Sequence, residues 1–338
     1  MAGPGNSQPA LNTYLGIDCG TSAVRICAID DQEQIQALTS HSLETQSPDS
    51  WQTALRGCLQ DLFRLIPAET VRSIAVDGTS GTILLCDETG LPLTGAIMYN
   101  DAAYGDELKK LDAPEAVPAL SATAGLPKAM HLASRTKVKD AIVVHQSDWL
   151  SGWLGGQVGF SDENNALKTG YDPQQRAWPP WVRSALPSHV QLPEVVIPGT
   201  QIGSAARILQ DLGVSPHTSI RAGTTDSTAS FLATGADNLD RGVTTLGSTL
   251  VIKQLCQTQI IDLGRGIYSH RLGDSWLTGG ASNSGGAVLK HFFTVEEIEQ
   301  LSRHINPEQE TGLHYYPLLE PGERFPVYDP GLQPGLSP

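Results

Sequence analysis

One arrangement, met twice, constrains this chain more than any other feature. "LGIDCGTSAVRICAID" (15–30) and "GVTTLGSTLVIKQL" (242–255) each join an apolar run to a β-branched run through a small polar centre. Apolar residues alternating across a glycine-bearing break predict strand, turn, strand. An all-helical fold is therefore excluded, and two hairpin-led units are expected. The 338 residues fit that number, at roughly 150 per domain.

Between the hairpins the pattern alternates. Ile35–Leu43 reads as a third strand. Ser50–Leu65 reads as a helix, because Trp51, Leu55, Leu59, Leu62 and Phe63 share one face at period 3.6, with Pro48 and Ser50 at its start. Arg72–Val76 and Thr82–Cys86 are short strands, and Lys137–Val144 is strand-like. Asp148 is placed to cap a helix through Leu154, ended by Gly155-Gly156. Ser204–Leu212 reads as a helix, Ile220–Gly223 as a strand, Asp226–Thr234 as a helix closed by Gly235, and Val295–His304 as a helix. Strands mixed with helices in this order define an α/β class. The predicted domains are a flexible tail over 1–13, a first domain over 14–236 and a second over 237–338.

Composition removes several functions. Net charge is −14 with no Lys/Arg cluster, which argues against a nucleic-acid or anionic-membrane surface. No apolar run approaches the ~18 residues of a membrane span, and the first residues lack a signal-peptide pattern. The five cysteines have no zinc spacing and read as reduced thiols of a cytoplasmic protein. The nine histidines form no H-E-x-x-H pattern, and G-x-S-x-G is absent. No Walker loop or G-x-G-x-x-G opens a helix, so any phosphate must be held by another device.

Five small polar stretches are candidates. Asp18, Gly20, Thr21 and Ser22 can cradle a phosphate, with Asp18 holding Mg²⁺ through water; they can equally make a tight turn. Gly247, Ser248 and Thr249 offer the same two readings. Asp226 follows a strand and opens a helix. It can cap that helix by accepting from residue 228 or 229, or act as a general base on a hydroxyl. Asp77, Ser80, Asn100 and Asp101 suit hydrogen bonding to a polyol, or turn chemistry. "GGASNSGG" (279–286) allows a close backbone approach, or a flexible loop before a helix over 287–292.

Taken in order, these segments resemble the FGGY carbohydrate kinases of the actin/hexokinase/heat-shock-protein fold group. "LGIDCGTSAVRICAID" is similar to that family's first phosphate hairpin, "GTTDSTASFLATGA" to its catalytic-Asp segment, and "TTLGSTLVIK" to its second hairpin. "TGGASNSGGAVL" is similar to the glycine-rich turn that follows. "AVDGTSGTILLCDETG" and "PGERFPVYDP" are nearest in character to cyanobacterial and plant xylulokinase-like kinases of D-ribulose or D-xylulose. The resemblance implies an actin-like ATPase (ribonuclease H-like) fold. It implies ATP and Mg²⁺ as cofactors and a ketopentose as substrate. Asp226 would then be the base and Asp18 the carboxylate near Mg²⁺. Gly20, Thr21, Ser22, Gly247, Ser248 and Thr249 would grip phosphates, and Asp77, Ser80, Asn100 and Asp101 would lie on the sugar side. Ser80 departs from the histidine that xylulokinases carry there; "YND" at Asp101 matches the family's "WND".

The family's later adenine-binding segment has no counterpart before Pro338, so the second domain is expected to be incomplete. A non-catalytic sugar-binding module, or a sugar-independent ATPase of the same fold group, is the alternative to a kinase. The expected partners are sugar and ATP, without nucleic acid or membrane, for a monomer or homodimer.

Overall fold

The computed structural model describes residues 12–113, 117–155, 157–310, 312 and 315–335. The expected tail lies outside the described residues up to residue 11, as do Gly156 and Ser337-Pro338. Its last two residues are not tail: Thr13 opens the first strand, and Asn12 bonds Asp31 and Arg72. The chain divides into two compact units, Met1–Ser230 and Phe231–Pro338.

In the first unit β1 (Thr13–Cys19), β2 (Ala23–Asp30) and β3 (Ile35–Ser42) form a meander. Helix α1 (Pro48–Leu62) follows, capped by Ser47, whose side chain accepts from the Ser50 N–H. The cap therefore lies three residues before the Ser50 expected to help start the helix. Next come β4 (Val71–Gly78), β5 (Ile83–Cys86), α2 (Gly105–Leu108), α3 (Gly125–Arg135) and β6 (Ala141–His145). Then follow α4 (Gln146–Gly155), β7 (Phe160–Asp162), α5 (Glu163–Ala166), α6 (Pro180–Ala185), β8 (Val190–Gln191) and β9 (Glu194–Val196). The unit ends with β10 (Gln201–Ser204), α7 (Arg207–Gln210), β11 (Ser219–Thr225) and α8 (Asp226–Leu232), within which the division falls.

The main sheet runs β10-β11-β4-β1-β2-β3, with β11, β4 and β1 parallel. Ile17, Val24, Ile26, Ile74 and Val76 are wholly buried from this sheet, beside Trp51, Leu55, Leu59 and Leu62 of α1 and Leu150 and Leu154 of α4. Each such side chain contributes roughly 1.5–3 kcal/mol by leaving water. Trp51 meets Trp149 edge-on, with centroids 6.1 Å apart. A second core packs β5 and β6 on α3 through Ile83, Leu85, Leu126, Ala129 and Val143.

Two readings of local sequence are corrected by the structure. Ser204 is not helical: it pairs with Ser219 across β10 and β11, and only Arg207–Gln210 coil into α7. Asp148 does not cap α4, which already starts at Gln146; its carboxylate bonds His145 Nδ1 at 2.7 Å.

The second unit is a sheet ordered β12-β13-β15-β14, from β12 (Gly242–Leu246), β13 (Leu250–Cys256), β14 (Tyr268–Leu272) and β15 (Ser275–Ser282), followed by α9 (Gly286–Phe292) and α10 (Val295–Ser302). The first half of "GGASNSGG" is therefore strand, not loop. Its buried apolar cluster is small: Phe231, Leu255 and Leu277. All five cysteines are free, with Cys19, Cys58 and Cys86 buried. Among the described residues no helix is long and apolar enough to cross a membrane.

Candidate active site

Strand register assembles the first half of the site. Asp18 pairs with Asp77 across β1 and β4, and Asp77 pairs with Thr224 across β4 and β11. Paired residues of parallel strands share a sheet face, and the next residue but one returns to it. Asp18, Asp77 and Asp226 are thereby gathered at the ends of three adjacent strands. A bulge lies between Arg221 and Thr224, at Gly223, where a Cβ would overlap the Val76 carbonyl. Only glycine permits that approach.

The three carboxylates sense one another. Burial raises the Asp77 carboxyl most, and the charges of Asp18 and Asp226 add to it. With a hydrogen bond to Asp18, these push Asp77 up to about 8. Near neutral pH Asp77 is accordingly the protonated partner and donates to Asp18. Asp18 Oδ2 also accepts from Arg25 Nη1 at 2.9 Å, its neighbour across the hairpin.

Asp226 is half-buried, and its neighbour Thr225 supplies a cap to the helix it opens. The N–H of Thr228 donates to Thr225 Oγ1 at 3.3 Å, and the Asp226 carboxylate accepts from the Ser227 N–H instead. Residue 225, one position earlier than expected, is the cap.

The turn after β1 has a definite polarity. Thr21 O accepts from Gln46 Nε2, and Ser22 O accepts from the Leu43 N–H at 2.9 Å. Among the described residues no protein group accepts from the N–H of Thr21 or Ser22. Carbonyls are thus tied down while two successive N–H donors stay open, the arrangement that suits an anion. The turn after β12 repeats this. Gly247 O accepts from Gly286 N–H at 2.8 Å and Ser248 O from Ala287 N–H at 3.1 Å, while the N–H groups of Ser248 and Thr249 have no acceptor among the described residues. Neither Gly20 nor Gly247 has a left-handed backbone, and a Cβ at either would meet only ordinary contacts, at 3.5 Å and 3.6 Å. The chain's own geometry does not demand glycine at these positions.

Ser80 is buried at the turn after β4, and its Oγ has no hydrogen-bond partner. Gln146, unremarked in the sequence, lies beside it: its Oε1 accepts from Thr79 N–H at 3.0 Å and Thr79 Oγ1 at 2.7 Å, while its buried Nε2 is unpartnered. Asn100 is exposed, and Asp101 accepts from Ala103 N–H and from the Tyr104 hydroxyl. Lys128, also missed, ties this loop to the Ser80 turn. It is wholly buried, and its Nζ donates to the carbonyls of Gly81, Met98, Tyr99 and Thr123 at 2.7–3.1 Å. Burial pushes this lysine down to about 8, helped by Lys168 and opposed by Asp101. Its only trace in the sequence is one lysine on the apolar face of an otherwise unread helix.

Oxygen donors of this kind suit Mg²⁺, which takes one or two carboxylates and completes its shell with water and phosphate. Among the described residues no three His, Cys, Asp or Glu side chains form a closed metal set. Asp18 and its neighbours fit the partial set that Mg²⁺ needs.

A mixed sheet with carboxylates at the ends of its parallel strands, beside a turn whose N–H donors are open, belongs to the α/β class and suits an anionic ligand. Comparison narrows the class. The N-terminal domain of the FGGY family of carbohydrate kinases matches residues 13–233, and the chain belongs to that family. Its fold is the actin-like ATPase fold of these kinases, and its enzyme class is that of the sugar kinases, phosphotransferases with an alcohol group as acceptor. A xylulose kinase of Staphylococcus epidermidis is 22% identical over 93% of this chain and 69% of its own length. The crystal structure of a xylulose kinase from Brucella ovis superposes with a TM-score of 0.81 at 21% identity, covering 96% of this chain and 73% of that one. A gluconate kinase from Lactobacillus acidophilus gives a TM-score of 0.71 at 17% identity, over 88% and 66% of the two chains.

Proposed function

We propose that this chain acts as an ATP-dependent kinase of a ketopentose, D-ribulose or D-xylulose, with Asp226 as the general base. The observation that carries the reading is the gathering of Asp18, Asp77 and Asp226 beside a turn whose N–H donors are open. Asp226, at the junction of β11 and α8, takes the proton of the attacking hydroxyl. Asp18 would hold Mg²⁺, which would supply neutralisation of the charge on the transferring phosphate. The N–H groups of Thr21, Ser22, Ser248 and Thr249 bind phosphate oxygens, and glycine at 20 and 247 leaves room for them. Positioning and charge stabilisation do most of the work in such a transfer. Ser80, Asn100 and Asp101 orient the sugar; Asp77 holds Asp18 by its shared proton. Five free thiols accord with a cytoplasmic setting.

The test is sugar-stimulated ADP release with D-ribulose, D-xylulose, gluconate and glycerol. Release with a ketopentose above the others supports the reading, and preference for gluconate moves the substrate to an aldonic acid. A non-catalytic sugar-binding module is the reading that competes with it. Calorimetric sugar binding without MgATP binding would establish it.

A further inference from the structure

Residues 282–287 form a bracket around the second hairpin. The Leu250 N–H donates to Ser284 O at 2.8 Å, and Gly286 and Ala287 donate to the carbonyls of Gly247 and Ser248. The approach is close: a Cβ on Gly285 would sit 2.6 Å from Ser248 O, and one on Gly286 2.7 Å from Gly247 O. The bracket is held in turn by one distant side chain. Glu323 is 2% exposed. Its Oε2 accepts from Ser282 Oγ at 2.6 Å and the Tyr316 hydroxyl at 2.8 Å. Its Oε1 accepts from the N–H groups of Asn283 and Arg324, both at 2.8 Å, and of Phe325 at 3.3 Å. Ser282 Oγ then accepts from Ser284 N–H at 3.0 Å, and Asn283 Nδ2 donates to Gly322 O.

We infer that Glu323 is the positioning residue of the second hairpin: its carboxylate fixes Ser282 and Asn283, through them residues 284–287, and so the carbonyls of Gly247 and Ser248. With those carbonyls held, the N–H groups of Ser248 and Thr249 are left without a protein acceptor among the described residues. Glu323 touches no hairpin residue itself. The role rests on the reading of 247–249 as a phosphate grip. Burial alone would raise the Glu323 carboxyl, but the donors of Ser282, Asn283, Tyr316 and Arg324 outweigh burial and bring it to about 2, so it is anionic at neutral pH.

The experiment follows amide exchange in the ¹⁵N-labelled chain and in Glu323→Gln and Ser282→Ala. Glutamine keeps the size but offers one acceptor oxygen and an NH₂ that opposes the donors. Expected is at least tenfold faster exchange at Leu250, Gly286 and Ala287 in E323Q, with β14 amides within twofold of wild type. S282A, which removes one donor, gives a smaller change at the same amides and serves if E323Q loosens the whole unit. Unchanged exchange at these amides, or equal loosening of β14 by both variants, overturns the positioning role. Titration with inorganic tripolyphosphate separates the two readings. Wild-type Ser248 and Thr249 amides should shift, at several-fold lower concentration than in E323Q. If exchange responds while tripolyphosphate moves neither amide, the positioning role stands and the phosphate assignment falls.

Discussion

Thr225 Oγ1, not the Asp226 carboxylate, accepts the N–H of Thr228 at the start of α8. The two adjacent residues thereby divide the work that the sequence offered to Asp226 alone. Thr225→Ala should cost about 1 kcal/mol of stability, the usual value of a lost cap. Asp226→Asn should cost less stability than Thr225→Ala. It should lower kcat for ADP release by about 10³-fold or more while sugar affinity by calorimetry is kept. A loss of stability in D226N equal to that in T225A would return Asp226 to a capping role.

Ser80 carries a buried hydroxyl with no partner. Its removal should not destabilise the free protein, because no hydrogen bond is lost. Ser80→Ala is therefore expected to melt at or slightly above the wild-type temperature and to bind the ketopentose roughly tenfold more weakly, about one hydrogen bond's worth. Lower stability with unchanged sugar affinity would remove Ser80 from the sugar site.

Lys128 behaves oppositely, since four carbonyls depend on it. Lys128→Met fills the same space but leaves those acceptors dry, at a cost on the order of 3 kcal/mol or more. Because Met98 and Tyr99 precede Asn100 and Asp101, the sugar KM should rise more than kcat falls. Differential scanning calorimetry with steady-state kinetics checks both. Unaltered melting would mean that the ammonium is not the clamp.

Glu323 predicts an acid limb. Its carboxyl is held at about 2 in the fold against an ordinary value of 4.5. A depressed folded-state value stabilises above pH 4.5, and that contribution is lost as pH falls from about 4.5 towards 2. Exchange protection of β13 and β15 amides should decline through that window in the wild type and less steeply in Glu323→Gln. Parallel declines in the two proteins would show that the carboxylate does not couple to this unit's folding.

The hairpins and the Asp226 segment were legible because their signals are local: alternation, a glycine, a carboxylate at a strand-to-helix junction. Helix α1 was legible from its apolar stripe. Ser204 was misread as helical because its pairing with Ser219 is tertiary and leaves no periodic mark. β15 was missed because "TGGAS" carries little β propensity and owes its strand to β13 and β14. Gln146, Lys128 and Glu323 act through bonds to backbone 30–67 residues away, in the cases of Met98, Thr79 and Asn283. No spacing rule in one sequence reports such contacts.

The most direct test of the account compares ADP release by the natural gene product and its Asp226→Asn variant, with MgATP and with D-ribulose or D-xylulose added or withheld. The account predicts release that depends on the sugar and is lost in the variant. Release that ignores the sugar, or that survives D226N, would contradict it.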